Sequence, residues 1–244
     1  MERERLTVLR DMIDKSNRIV FFGGAGVSTE SGIPDFRSKD GVFRAIEEFG
    51  YPPDQLLSYD FFTENPEAFY SYYRTYLVTP GAKPNPAHLA LARLEARGKL
   101  TAVVTQNIDG LHQLAGSRSV LELHGSMLRN YCMDCRKPHT LEDVLADWMG
   151  VPRCACGGII RPDVVMYGEQ LDDSVVETAI RHILEADMLI VGGTSLAVQP
   201  AAGLIEYFRR DRLVLINKTP THYDHTAALV IHDAIGEVLG AAVE

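Results

Sequence analysis

The sequence predicts an α/β protein whose larger part is a doubly wound parallel β-sheet, and three features of its 244 residues indicate this fold class. Short apolar runs recur along the chain, and helical stretches separate several of them. The runs are continuously apolar, which is typical of parallel strands buried on both faces. Each run ends in glycine or polar residues. Right-handed crossovers between such strands produce a Rossmann-like sheet with helices on both sides.

Five apolar runs are predicted as strands, at residues 18–22, 100–105, 120–123, 188–191 and 213–216. Residues 3–15 are predicted as an amphipathic helix because Leu6, Leu9 and Ile13 recur at helical spacing. Residues 87–97 and 201–210 are also predicted as helices. Ligands of doubly wound sheets bind beyond the carboxyl ends of the strands, so the polar residues that follow these strands define the candidate site.

Two segments interrupt this alternation and are predicted to form a smaller lobe. Residues 38–85, rich in aromatic residues and proline, are expected to be a helical insertion. Residues 127–165 contain all four cysteines and are expected to be a metal-binding module. The rest of the chain, residues 1–37, 86–126 and 166–244, forms the expected nucleotide-binding domain.

The overall charge and the chain's start narrow the class of protein. A net charge of −9 disfavours direct nucleic-acid binding, which requires a basic face. The first ten residues are charged and lack the apolar core of about 7–15 residues found in signal peptides. No apolar run approaches the roughly 20 residues that span a bilayer. We therefore expect a cytoplasmic protein without membrane partners.

The cysteines favour a structural zinc ion. Cys132 and Cys135 form a Cys-x-x-Cys pair, and 18 residues separate it from the Cys-x-Cys pair of Cys154 and Cys156. Four thiolates at such spacing suit tetrahedral zinc and leave no open position for catalysis. Buried free thiols or an oxidised pair are the alternatives, and a reducing compartment favours metal. The shorter second pair departs from the usual Cys-x-x-Cys spacing.

A glycine-rich turn follows the first predicted strand, with the sequence Gly23-Gly-Ala-Gly-Val-Ser-Thr29. Glycines let the backbone approach a phosphate closely, and the N-terminus of a following helix attracts anions. An ordinary glycine turn without a ligand is the alternative. The third glycine of the dinucleotide fingerprint is missing, because Thr29 stands in its place, and this disfavours a dehydrogenase.

The continuation of this turn and three later blocks resemble one family. The blocks are Gly24-Ala-Gly-Val-Ser28, Ser31-Gly-Ile-Pro-Asp-Phe-Arg37, Thr105-Gln-Asn-Ile-Asp-Gly-Leu-His112, Leu123-His-Gly125, and Gly193-Thr-Ser-Leu196 with Pro200-Ala-Ala202. Together they resemble the sirtuins, the NAD-dependent protein lysine deacylases, and in particular bacterial-type deacetylases. The resemblance runs from about Ile19 to Val238. It implies removal of acetyl, and of other uncharged acyl groups, from protein lysines, with release of nicotinamide and O-acetyl-ADP-ribose.

The resemblance also implies roles for individual residues. His124 would be the general base, and Asn107 would orient the ribose or a water. Val164, Val165, Met166, Tyr167 and Gly168 would pair with the substrate peptide by β-augmentation. Residues expected to contact NAD are Gly24, Ala25, Gly26, Ser28, Thr29, Phe36, Arg37, Gln106, Asn107, Ile108, Asp109, His124, Gly193, Thr194, Ser195, Asn217, Asp233 and Ile235.

Without the resemblance, these residues have simpler interpretations. Asp109 could cap a short helix over residues 110–115. A lone histidine such as His124 is more often structural than catalytic. Residues 164–169 would be an edge strand and a turn.

The preferred acyl group is partly predictable. Sirtuins that prefer succinyl groups carry a tyrosine and an arginine three residues apart in the helical insertion, where this chain has Tyr73 and Tyr76. Arg74 should point elsewhere on a helix. Without a bidentate arginine, an acyl group ending in a carboxylate would be poorly held. The sequence therefore favours acetyl and other uncharged acyl groups.

Three other function classes compete with this interpretation. An ADP-ribosyltransferase could use the same NAD site; with labelled NAD it would leave the label on protein, whereas deacylation would leave it on acyl-ADP-ribose. A non-enzymatic binding module built on the zinc ribbon would need a basic, aromatic surface around the cysteines, which the sequence does not show. A dehydrogenase is disfavoured by Thr29 and by the absence of an identifiable hydride-acceptor site.

Overall fold

The computed structural model describes residues 3–35, 38–146 and 150–243. In chain order the first half contains α1 (Arg3–Asp14), β1 (Ile19–Gly23), α2 (Lys39–Phe49), α3 (Pro53–Leu56), α4 (Tyr59–Glu64), α5 (Pro66–Tyr72), α6 (Pro86–Ala96), β2 (Leu100–Thr105), α7 (Leu111–Leu114) and β3 (Val120–Glu122). The second half contains β4 (Gly125–Cys132), β5 (Pro138–His139), α8 (Leu141–Leu145), β6 (Ile160–Val164), α9 (Asp173–Glu185), β7 (Met188–Gly192), β8 (Leu213–Ile216), β9 (Leu229–Ile231) and α10 (Ile235–Ala242).

The larger sheet has six parallel strands in the order β3-β2-β1-β7-β8-β9. The chain winds outward from β1 in one direction and then outward from β7 in the other. The switch point therefore lies between β1 and β7, and a crevice opens beyond their carboxyl ends. The predicted doubly wound fold is confirmed, and β9 is a strand that the sequence analysis missed.

Two apolar layers cover the faces of this sheet. All residues of β1 and β7 are buried, as their continuous apolar sequences predict. Phe21 packs on one face with α1, α6 and α10, whereas Val20 and Phe22 pack on the other with α9 and the 3-10 helix Ala201–Tyr207. Successive side chains of a strand point to opposite faces, so β1 contributes to both layers.

Local structure differs from the sequence prediction in three places. The helix predicted at residues 201–210 is a 3-10 helix that spans Ala201–Tyr207. Two 3-10 turns, Ala25–Val27 and Thr29–Ser31, replace the expected helix after the glycine turn, and the Gly26 N–H donates to the Gly193 carbonyl at 2.8 Å. Helix α7 begins one residue later than expected, since Gly110 is its N-cap at φ 74°.

The smaller lobe combines the helical insertion with the cysteine-bearing segment, as predicted. Strands β5, β4 and β6 form an antiparallel sheet. Side chains of α4 and α5, such as Phe62 and Phe69, share one core with Met127, Ile160 and Met166 from the cysteine-bearing side. This shared core fixes the wall that faces the crevice of the larger sheet. Among the described residues, no helix has both the length and the apolarity to cross a bilayer.

Candidate active site

A cleft of about 210 Å³ lies between the carboxyl edge of the larger sheet and the smaller lobe. Both lobes contribute to its walls, together with the turn that follows β1. Its lining includes Ala25, Ser28, Gln106, Asn107, Ile108, Asp109, His124, Met127, Val164, Val165, Met166, Tyr167 and Gly168. The structure therefore brings together most of the predicted nicotinamide-side and peptide-side residues.

The glycine turn packs directly against the end of β7. A Cβ on Gly26 would lie 2.8 Å from both the Cα and the carbonyl oxygen of Gly193. Gly193 itself adopts φ 60°, and a Cβ there would lie 2.3 Å from the backbone nitrogen of Val27. Contacts this close require glycine on both sides, so the backbone of the turn forms one edge of the crevice.

Ser28 links two polar residues that follow β2. Its hydroxyl donates to Asp109 Oδ2 at 2.6 Å, and it accepts from Asn107 Nδ2 at 3.0 Å. Burial raises the pKa of Asp109, although the hydrogen bonds from Ser28 and from the Leu111 N–H oppose this effect. The result is a fixed row of a carboxyl, a hydroxyl and an amide along one wall of the cleft.

His124 follows β3 and its half-buried ring lines the same cleft. Its Nδ1 lies 2.9 Å from the carbonyl oxygen of Gln106. A carbonyl can only accept, so Nδ1 carries the proton in this contact and Nε2 is the nitrogen that can accept one. This is the tautomer that a general base requires.

The remaining predicted cofactor contacts lie outside the central cavity. Thr29 donates to the Gly26 carbonyl, and Ser195 is exposed at the end of β7. Asn217 follows β8, and its Nδ2 donates to the Thr219 carbonyl. Gly24, Gly193 and Thr194 form the switch point itself. Phe36 and Arg37 lie outside the described residues.

The predicted residues at the start of α10 occupy two different environments. The Asp233 carboxylate accepts from the Ala234 N–H just before the helix. Ile235 is buried, and a Cβ on Gly192 would lie 2.1 Å from its Cδ1. Ile235 therefore packs under the end of β7.

Residues 164–169, expected without the family resemblance to be an edge strand and a turn, include the end of β6 at Val164 and a turn at Gly168. Glu169 bends the chain, because its carboxylate accepts from the Met166 N–H at 2.9 Å while binding both terminal nitrogens of Arg161 at 2.8 and 2.9 Å. Burial alone would raise the pKa of Glu169, but the hydrogen bonds from Arg161 and Met166 outweigh it and lower the pKa. Tyr167 forms an isolated parallel bridge to Ser58 of the insertion.

Sequence reasoning missed Arg161 and Glu169. A buried arginine beside a carboxylate eight residues later has no periodic signal. The only hint was Gly168, whose φ of 92° allows the sharp bend before Glu169.

The acyl side of the cleft is lined by aromatic and aliphatic residues of the insertion, including Phe69, Tyr73, Tyr76 and Leu77. Arg74 is turned away, as predicted, and its guanidinium donates to the carbonyls of Gly150 and Val144. The Tyr76 hydroxyl donates to Glu48. The tip of this wall therefore carries the Glu48 carboxylate, and the positive charge of Arg44 also acts on the Tyr76 hydroxyl.

The four cysteine sulfurs lie within 4.8 Å of one another. Cys132 and Cys156 are 3.4 Å apart, and Cys135 and Cys154 are 3.7 Å apart. A tetrahedron with Zn–S bonds of about 2.3 Å has S–S edges of roughly 3.8 Å, so these donors fit zinc despite the short Cys-x-Cys pair.

Comparisons with known proteins agree with this geometry. A model of the Sir2 family matches residues 24–200. Proteins named NAD-dependent protein deacetylase from Clostridium perfringens and Clostridium acetobutylicum are 57% and 55% identical, over 99% and 98% of both chains. A solved Sir2 with p53 peptide and NAD+ has a TM-score of 0.85 at 38% identity, covering 98% of this chain and 96% of that chain. A Sir2 variant with deacetylated p53 peptide and 3'-O-acetyl ADP ribose has a TM-score of 0.88 at 36% identity, covering 98% and 99%.

Proposed function

The chain belongs to the Sir2 family, and from that premise we propose how its own residues divide the work of an NAD-dependent protein deacetylase. The enzyme removes acetyl groups from lysine side chains of proteins and releases nicotinamide and O-acetyl-ADP-ribose. When bound, NAD supplies a ribose carbon that accepts the acyl oxygen as nicotinamide leaves. The observation that carries the assignment of roles is the contact between His124 and the Gln106 carbonyl.

His124 is the general base of this proposal. Its Nδ1–H is committed to the Gln106 carbonyl, so Nε2 faces the reaction as a proton acceptor. Neutral imidazole is a suitable acceptor near pH 7. The half-buried ring lines the same cleft as Asn107 and Asp109, so His124 would be placed to accept a proton from a ribose hydroxyl of NAD bound there.

Asp109, with Ile108 beside it, orients the nicotinamide carboxamide. The hydroxyl of Ser28 holds both Asp109 and Asn107, which supports a fixed arrangement before the cofactor binds. A preorganised polar wall is worth more than the same groups in water, because no reorganisation is required during the reaction. The apolar lining from Ile33, Met127 and Val198 limits water around the reacting ribose.

The turn of Gly24, Ala25, Gly26, Ser28 and Thr29 would hold the pyrophosphate, because its backbone and hydroxyl groups meet the switch point. Residues that follow β7, β8 and β9 would hold the adenosine half. Its proposed contacts are Gly193, Thr194, Ser195, Asn217, Asp233 and Ile235. Phe36 and Arg37 are proposed as contacts of the nicotinamide end.

We propose the domain limits given by the sequence: residues 1–37, 86–126 and 166–244 for the NAD-binding domain, 38–85 for the insertion and 127–165 for the zinc module. The four thiolates hold zinc in a closed site, so the metal stabilises the smaller lobe and takes no part in chemistry. The segment from Val164 to Gly168 binds the peptide, since Arg161 and Glu169 hold it at the cleft. A cytoplasmic location completes the proposal.

Acetyl and other uncharged acyl groups fit the aromatic wall better than succinyl. Arg74 is already bound to two carbonyls of the cysteine-bearing segment, so it offers no bidentate partner to an acyl carboxylate. Glu48 at the Tyr76 hydroxyl adds a like charge near that wall.

One experiment tests the reaction and the role of His124 together. Acetyl-lysine and succinyl-lysine peptides are incubated with NAD, and the products are followed by mass spectrometry. We expect NAD-dependent deacetylation that exceeds desuccinylation, and a loss of about 10²–10⁴-fold in His124→Ala. The matched control is His222→Ala, an exposed histidine outside the cleft. Transfer of ADP-ribose from NAD to the peptide, or near-normal turnover in His124→Ala, would contradict the proposal.

A further inference from the structure

A peptide carbonyl contributes to the orientation of His124. Nδ1 donates to the Gln106 oxygen at 2.9 Å, and this contact selects Nε2 as the accepting nitrogen. A carbonyl oxygen cannot move independently of its backbone. Whatever holds residue 106 therefore also holds the imidazole ring.

Gln106 is fixed at both its backbone and its side chain. Its backbone N–H donates to the Gly23 carbonyl at 3.0 Å, at the end of β1. Its Nε2 donates to Thr194 Oγ1 at 3.2 Å, at the end of β7. Gln106 and Thr194 are both buried, with exposed fractions of 8% and 9%. Gln106 thus spans three adjacent strands, from β2 across β1 to β7.

The Thr194 hydroxyl has a second hydrogen-bond partner besides Gln106. It also accepts from the Leu196 N–H at 3.2 Å. An oxygen that accepts from two donors in a buried site has little freedom to rotate. The hydroxyl is therefore a fixed anchor for the Gln106 amide.

Glycine at position 24 makes this crossing possible. A Cβ on Gly24 would lie 2.9 Å from Thr194 Cβ and 3.1 Å from its Oγ1. Any side chain there would push Thr194 away from the path over β1. The left-handed conformation of Gly193, at φ 60°, turns the chain so that Thr194 follows at the right place.

We propose that Gln106 and Thr194 are positioning residues for His124, acting through their side-chain hydrogen bond, which we name the Gln106–Thr194 brace. This inference rests on the proposed role of His124 as general base. The brace holds the Gln106 carbonyl where it keeps the proton on Nδ1. Without it, the imidazole populates other orientations and tautomers, and only a fraction of enzyme molecules carries a correctly placed base.

This role makes a kinetic prediction that differs from a simple cofactor contact. If only a fraction of the enzyme molecules has His124 in the correct orientation, kcat falls and the affinity for NAD stays nearly unchanged. A residue that only contacts the adenosine half would instead raise KM for NAD. The two roles of Thr194 are therefore separable by steady-state kinetics.

The test uses matched substitutions at both ends of the brace. Thr194→Val preserves shape and removes the hydroxyl, whereas Thr194→Ser keeps it; Gln106→Met keeps length and removes the donor. We expect Thr194→Val and Gln106→Met each to lower kcat by roughly 5- to 10-fold, a loss that a cofactor contact alone would not produce. Thr194→Ser should recover most of kcat.

The double variant distinguishes a shared interaction from two separate ones. If both side chains act through the brace, Gln106→Met with Thr194→Val should lose no more kcat than the stronger single variant. Losses that multiply would overturn the proposal. So would a raised KM for NAD with unchanged kcat.

A spectroscopic readout tests the tautomer directly. Long-range ¹H–¹⁵N spectra of histidine-labelled enzyme report which ring nitrogen carries the proton, and His124→Gln assigns the signals. We expect a single Nδ1–H form in the wild type and a mixture in Gln106→Met; an unchanged pattern would refute the proposal. If wild-type enzyme shows no deacetylation at all, the proposed function fails first, whereas normal deacetylation with an unchanged tautomer in Gln106→Met rejects only the brace.

Discussion

Two buried histidines, His88 and His112, should make the folded enzyme lose stability below neutral pH. Their exposed fractions are 0% and 1%, and their ring centroids are 4.7 Å apart. His88 Nδ1 accepts from the Asn85 N–H in the capping box of α6, which requires that nitrogen to be unprotonated. Burial lowers the pKa of His88 to about 4, and burial with the neighbouring His88 lowers that of His112 to about 3.

The sign and size of the effect follow from these pKa values. Both are lower in the folded state than the ordinary value of 6.5, so between about pH 6.5 and 4 the unfolded chain binds more protons. Stability therefore rises with pH through this window and falls as the pH decreases. A pH of 5 is 1.5 units below the pKa of 6.5 of the unfolded imidazole, so each histidine lowers the free energy of unfolding at pH 5 by about 2 kcal/mol. The pair together accounts for about 4 kcal/mol, a large part of a typical stability of roughly 5–15 kcal/mol.

Urea unfolding of the zinc-loaded enzyme at pH 7.5 and pH 5.0 measures this difference. His88→Asn and His112→Asn remove titration, and asparagine Oδ1 at position 88 keeps an acceptor for the Asn85 N–H. Each variant should lose about 2 kcal/mol less than wild type between the two pH values. Carboxylates and zinc thiolates contribute equally to the pH dependence of wild type and variants, so their contributions cancel in the comparison. His222→Asn is the exposed control; equal pH dependence in wild type and both buried variants would refute the reasoning.

Three further predictions follow from packing and from the metal site. Gly26→Ala, with its Cβ 2.8 Å from Gly193, should lose about 1–3 kcal/mol in urea unfolding, and Gly203→Ala, whose Cβ meets only one flexible side-chain end at 3.2 Å, should lose less. Arg161→Met leaves the Glu169 carboxylate without its paired donors; we expect a loss of about 2–3 kcal/mol and a higher KM for the peptide but not for NAD. Chelation of zinc should unfold the antiparallel sheet, detected by circular dichroism, and abolish deacetylation until zinc is restored; full activity without metal would contradict a structural site.

The larger sheet was predictable because its strands are buried on both faces. Continuous apolar runs such as β1 and β7 have no other stable location in a protein of this size. The strand β9 was missed although it is as long as β3, because the three residues Leu229–Ile231 give only a weak apolar signal. Its identity as a strand comes from pairing with β8, which is a tertiary contact.

Contacts between distant residues explain most of the remaining differences. The bend at Glu169 depends on Arg161 from β6, and no local pattern indicates that a carboxylate will turn back to bind it. The contact between Gln106 and Thr194 joins residues 88 positions apart. Residue types identified both positions as candidates for the site, but only the fold defines which atoms meet.

The glycines after β1 show why a sequence motif can be correct while its usual explanation is incomplete. Their pattern in the sequence is usually explained by the close approach of a phosphate. In the structure each lies against protein: a Cβ on Gly23 would be 2.5 Å from the Phe21 ring, one on Gly24 2.9 Å from Thr194, and one on Gly26 2.8 Å from Gly193. These contacts alone exclude larger residues. The same close approach of β1 and β7 opens the crevice and allows Gln106 to reach Thr194, so substitution of Gly24 should damage the orientation of His124 even where no phosphate is bound.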